Sequence, residues 1–119
     1  MTISTHRVKD VLVLGIEGEL KRSGNAEISL LQQVKAQIEN GERKLLIDLA
    51  KAEFIDSFGV GEILASYVTV RNSGGKLKVA LGRWLSRVIG IPNPIPDLSY
   101  ASREAALEDF ESPGHAKKT

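Results

Sequence analysis

Hydrophobic positions along this chain fall into short continuous or alternating runs and longer helical stripes, and the two kinds take turns. Ile3 to Lys9 reads as a first strand, with Thr5, Arg7 and Lys9 giving it a half-exposed edge. Val11-Leu12-Val13-Leu14-Gly15-Ile16 is nearly continuous apolar, the pattern of a strand covered on both faces. The intervening Lys9-Asp10 is short enough for a hairpin, so these two strands are predicted antiparallel. A first helix follows, with Asn25 as its expected cap and apolar positions at Ile28, Leu31, Val34 and Ile38. Asn40-Gly41 ends it. Leu45 to Leu49 is the third strand, joined to the second by a helix crossover and therefore parallel to it.

After a short loop, a second helix begins at Ser57. Its predicted inner face is Val60, Ile63, Leu64, Tyr67 and Val68, with Glu62, Ser66, Thr69 and Asn72 on the other side. Ser73-Gly74-Gly75 stops it, and Leu77-Lys78-Val79-Ala80-Leu81 is the fourth strand. A short helix carrying Trp84, Leu85, Val88 and Ile89 is expected before Gly90. Pro92, Pro94 and Pro96 forbid helix and favour a stiff, extended connector. Leu98-Ser99-Tyr100 is a short last strand, and Ser102 caps a final helix with Ala106, Leu107 and Phe110. Residues 112–119, small, polar and basic, are expected to form a disordered tail.

Strands alternating with crossover helices predict one α/β domain: a mixed, mostly parallel sheet of four to five strands with about four helices. At 119 residues the chain is long enough for one real core. In such sheets functional loops gather at the carboxyl ends of the strands, which draws attention to Ala50 through Gly59. Formal net charge is +1, so there is no long-range field to recruit nucleic acid or an acidic membrane. With no cysteine, disulfides, thiolate catalysis and cysteine-based metal sites are excluded. The absence of an apolar run near the roughly 18 residues of a membrane span, and of a signal-like N-terminus, leads us to expect a cytoplasmic protein.

The candidate chemistry centres on Ser57, beside Asp56 where the second helix starts. Three readings are open. Asp or Ser here can simply cap the helix. A catalytic serine would need a base and an orienting group, but the only histidines, His6 and His115, lie near the chain ends, and the surroundings are not a G-x-S-x-G elbow. A regulatory phosphate would add roughly −1.5 to −2 charges, which a helix N-terminus tolerates and Asp56 repels.

Other groupings carry less. Gly59-Val60-Gly61 lacks the Lys-Ser/Thr of a phosphate loop and reads as close packing or a partner's approach. Asp48, Glu53 and Asp56 suggest a metal only weakly: strand alternation turns Asp48 away, and no His or Cys joins them. Lys76, Lys78, Arg83 and Arg87 read as a solvated basic face. No catalytic residue, metal ligand or cofactor is expected.

The order of elements, the Phe54-Ile55-Asp56-Ser57-x-Gly59-Val60-Gly61 segment and the Gly75-x-Leu77-x-Val79 strand resemble the STAS domain, and more narrowly a bacterial anti-sigma factor antagonist, with residues 1–111 as the domain. The family's Asp-Ser-Ser-Gly motif carries its phosphate on the first serine, which corresponds to Ser57. The resemblance implies a protein-binding switch without enzymatic activity. Unphosphorylated, it captures an anti-sigma factor that is also a serine kinase of the histidine-kinase-like ATPase fold; phosphorylation releases that partner, and a serine phosphatase resets the switch. The implied partner-binding residues are Asn25, Asp56, Ser57, Phe58, Gly59, Val60, Gly61 and Glu62. Phe58 departs from the small residue usual there, and Pro92–Pro96 is richer in proline than the family pattern. Other roles of STAS domains are as a scaffold in a stress-signalling complex, an accessory subunit of a membrane transport system, or a nucleotide-binding module.

Overall fold

A computed structural model describes residues 1–20, 29–82, 98–100 and 102–111. The chain reverses at Lys9, whose φ of 56° turns β1 (Thr2–Val8) back into β2 (Val11–Leu20). These strands are antiparallel, as the two-residue connection requires. The α1 helix (Leu30–Glu39) then carries the chain to β3 (Lys44–Ile55), and α2 (Ser57–Asn72) carries it to β4 (Lys76–Ala80). A two-residue β5 (Ser99–Tyr100) and α3 (Arg103–Glu111) complete the described elements. The sheet order is β1-β2-β3-β4-β5, and every pair after the first is parallel.

The two faces of the sheet hold separate cores. Leu12, Leu14 and Ile16 of β2 and Leu45, Ile47 and Leu49 of β3 pack with Leu30 and Val34 of α1 and Ile63 and Val70 of α2. Val11, Val13 and Leu46 face the opposite way, onto Ala106 and Phe110 of α3. The near-continuous apolar run of β2 is therefore covered on both faces, as predicted.

Beneath α3 lies a buried ion pair. Lys78 Nζ is 2.7 Å from Asp109 Oδ2 and 2.9 Å from the Tyr100 hydroxyl, which itself donates to Asp109. Lys78 is 6% and Asp109 2% exposed, and the ammonium lies about 5 Å from the centres of both the Tyr100 and Phe110 rings (4.9 and 5.1 Å). Lys78 is thus not part of a solvated basic face. Its strand alternation points it at α3, where a carboxylate and two aromatic rings replace water.

Several expected boundaries move. The β2 strand continues to Leu20 and β3 to Ile55, so Ala50 to Ile55 is strand rather than loop; the parallel β2–β3 ladder persists to Leu20↔Ile55. The α1 cap is Ser29, not Asn25: its hydroxyl accepts the Gln32 N–H at 3.1 Å while the Gln32 side chain accepts the Ser29 N–H at 2.9 Å. This reciprocal pair is a capping box written in Ser29-x-x-Gln32. Ser102 does cap α3, accepting the Ala105 N–H at 3.1 Å. Asn25, Arg83, Arg87, the expected helix around Trp84, the Pro92–Pro96 connector and the tail from residue 112 lie outside the described residues.

Candidate functional site at the start of the second helix

The long β3 strand delivers the chain to the carboxyl edge of the sheet, and the turn into α2 is fixed there by Asp56. Asp56 is extended (φ −104°, ψ −176°), and its carboxylate accepts the Gly59 N–H at 2.8 Å. Its own N–H donates to Leu20 O at 3.3 Å, tying the end of β3 to the end of β2. Of the open readings, the capping role thus falls to Asp56. Ser57, the first residue of α2, is exposed, and its hydroxyl hydrogen-bonds to no described residue.

Gly59 is buried because α2 enters so close to the sheet. A Cβ there would lie 2.3 Å from Leu20 O and 2.8 Å from Ile55 Cγ1, so no side chain fits without moving backbone. Gly61 is the opposite case: it is exposed, and a Cβ would meet nothing within 4 Å. Packing therefore explains the first glycine and not the second.

The inner face of α2 is Gly59, Ile63, Ser66 and Val70, with Leu64 and Tyr67 partly buried at its margin. Val60 and Val68, expected inside, are 39% and 52% exposed. The rotation follows from Gly59, which sets which side of the first turn touches the sheet. Ser66, expected outside, is fully buried; its hydroxyl is satisfied by donating to Glu62 O at 2.7 Å. Phe54 and Phe58, on either side of the turn, are 43% and 39% exposed. The chain on both sides of Ser57 thus exposes apolar surface, Phe54 included.

Glu62 looks away from solvent more than expected. It is half-buried, and its carboxylate accepts the Leu31 N–H, 3.4 Å away, in the first turn of α1. A negative charge is favoured at that helix end, so Glu62 clamps α1 to α2.

His6, the one histidine among the described residues, lies far from Ser57. His6 pairs with Val13, which pairs with Leu46, nine positions before Ile55 along β3. That separation is roughly 30 Å of strand. Asp48 accepts the Ala50 N–H at 3.0 Å, and among the described residues no three His, Asp or Glu side chains are grouped to hold a metal. Among those residues, too, no helix is long and apolar enough to cross a membrane.

The profile of the STAS domain matches residues 2–84. The chain belongs to the STAS domain family. A relative in Bordetella bronchiseptica, BtrV, named as an anti-sigma factor antagonist, is 29% identical over 114 residues, 94% of this chain and 97% of BtrV. The crystal structure of an anti-sigma factor antagonist from Mycobacterium paratuberculosis superimposes with a TM-score of 0.72 at 23% identity, covering 92% of this chain and 93% of that one. Unphosphorylated SpoIIAA, also an anti-sigma factor antagonist, gives 0.60 at 16%, covering 93% and 99%. The chain spans only 18% of a longer structural relative, Mglu, and that match covers 64% of this STAS chain at 21% identity and a TM-score of 0.53. These solved structures share the fold of this STAS domain: five strands, mostly parallel, with helices on both faces.

Proposed function

We propose that this STAS domain is an anti-sigma factor antagonist that works as a protein-binding switch controlled by phosphorylation of Ser57. One observation carries the reading: Asp56 caps α2, so the adjacent Ser57 hydroxyl stands exposed at a helix N-terminus with no structural duty. A phosphate placed there meets the favourable end of the helix dipole, and the fold does not depend on the hydroxyl it replaces. The names of BtrV and the Mycobacterium paratuberculosis protein point to the same role.

The surroundings suit a docked partner. Phe54, Phe58 and Val60 expose apolar surface around the serine, and Gly61 leaves backbone open to close approach. A partner seated on them would exclude water from Ser57. A neutral hydroxyl is accommodated at little cost there, whereas a dianion must be desolvated beside Asp56. The partner in this reading is an anti-sigma factor with serine-kinase activity and the histidine-kinase-like ATPase fold; a serine phosphatase reverses its action. In this reading the domain itself does no chemistry: His6 lies far from Ser57, and the adjacent Asp56 carboxylate is engaged in capping α2.

Incubation with such a kinase and ATP, followed by phosphopeptide mapping, tests the assignment. Phosphate is expected on Ser57 alone. Phosphate on Ser29, Ser66 or Ser73 instead would overturn it; Ser66 is buried and Ser29 caps α1.

A further inference from the structure

The outer edge of β1 carries a row of unpaired backbone groups. A two-residue turn closes on Val8↔Val11, so Val8, His6, Ser4 and Thr2 direct their N–H and C=O groups to β2. Ile3, Thr5 and Arg7 turn theirs outward, and no described residue hydrogen-bonds to them. Native edges are usually blunted by shortness, charged side chains, proline, a bulge or an inward-pointing charge. The one Lys or Arg within β1, Arg7, lies near its end, and its charge is paired with Glu42. The β1 strand is seven residues long, has no proline, and keeps an unbroken register with β2 from Thr2↔Glu17 to Val8↔Val11. The opposite edge is blunted, for β5 has two residues.

We infer that β1 pairs antiparallel with β1 of a second copy of this chain, about a two-fold axis at Thr5. Thr5 is the midpoint of Thr2–Val8, so this register alone pairs all seven residues. It also matches the backbone. Thr5 faces Thr5 of the partner copy, and Ile3 faces Arg7, each an outward-turned pair able to exchange both hydrogen bonds. Side chains agree with it. A Thr–Thr pair is favourable across strands, His6 falls opposite Ser4, and the two Arg7 side chains are kept apart. An unrelated strand would have no reason to meet all of these conditions at once.

The consequence is a ten-stranded sheet in which β3 of the two copies runs in opposite directions. Both Ser57 turns stay free, at opposite ends. One strand pair buries less than a standard stable interface, so the dimer is weak and concentration-dependent.

Sedimentation equilibrium of the full chain, from micromolar to millimolar, reads the association. Thr5→Pro removes an outward N–H and leaves the β2 ladder intact; it is expected to keep the circular dichroism spectrum and raise the dimer Kd by at least about tenfold. Thr5→Cys supplies the sole thiol of a cysteine-free chain. Opposed Cα atoms about 5.5 Å apart lie within disulfide reach, so it should oxidise to a covalent dimer. Thr2→Cys, roughly 20 Å from its copy, should not. A monomer at every concentration, a dimer untouched by Thr5→Pro, or equal cross-linking of the two cysteine variants would overturn the inference. If Thr5→Pro fails to fold, the cysteine pair still decides.

Discussion

The Asp56 carboxylate accepts the Gly59 N–H at 2.8 Å, and this single bond sets the different roles of two adjacent residues. Asp56 holds the helix, and Ser57 is left exposed beside it. Asp56→Ala should cost about 1 kcal/mol, the usual loss for a missing cap. Asp56→Asn, which also caps well, should melt close to wild type. It removes the charge next to Ser57 as well, so phosphorylation should cost this variant less stability than it costs wild type. Thermal melts of both variants, with and without phosphate, check this.

The two glycines of the turn should respond oppositely to alanine. At Gly59 a methyl group would drive into Leu20 O and Ile55, so Gly59→Ala should destabilise by about 1–3 kcal/mol despite alanine's helix preference. At Gly61 nothing is in the way, and Gly61→Ala should stabilise by roughly 0.5–1 kcal/mol. If a partner approaches the backbone there, the same variant should bind it less well while folding better. Urea titration and a binding isotherm on one preparation separate the two effects.

The Lys78–Asp109 pair is expected to matter most when it is broken on one side. Asp109→Ala leaves a buried ammonium without its carboxylate and should cost about 3–5 kcal/mol. The double variant Lys78→Met, Asp109→Leu should recover most of that loss, because a well-packed apolar pair can replace a buried ion pair. A double-mutant cycle by chemical denaturation measures the difference.

At the hairpin end of the sheet, Lys44 lies 2.6 Å from Asp10, and its hydrogen bond, opposed by some desolvation, holds the Asp10 carboxyl below its ordinary value. A depressed carboxylate contributes stability above its unfolded pKa of about 4, and that contribution is lost as pH falls through the folded value. Lys44→Ala should therefore lower stability slightly at neutral pH, where the pair is exposed and screened, and the difference from wild type should vanish as pH falls from about 4 through the folded value, flattening the acid slope. Denaturation midpoints from pH 2 to 7 show the slope.

The sequence carried the architecture because its strands and stops are local signals. The continuous run Val11–Ile16, the Lys9-Asp10 turn and the Gly41 and Gly74 stops each appear where the structure has them. What it hid depends on tertiary contact. Ala50 to Ile55 alternates too irregularly to read as strand and is held there by pairing with β2. Helix α2 is apolar on two sides, so periodicity could not say that Val60 and Val68 face out and Ser66 faces in; Gly59 against Leu20 decides that. Lys78 looked solvated because Asp109, its partner, is 31 residues away. The Ser29-x-x-Gln32 box is legible in the sequence itself and outranks Asn25 as the start of α1.

The central claim is that charge at Ser57 controls partner capture and leaves the fold alone. Calorimetric titration of Ser57→Ala and Ser57→Glu, against the kinase-like anti-sigma factor that phosphorylates the chain, tests it most directly. A desolvated, uncompensated charge at an interface costs on the order of 2–5 kcal/mol, so Ser57→Glu should bind at least about tenfold more weakly than Ser57→Ala, while the two melt within a few degrees of each other. Equal affinity of the two variants for that partner would contradict the account.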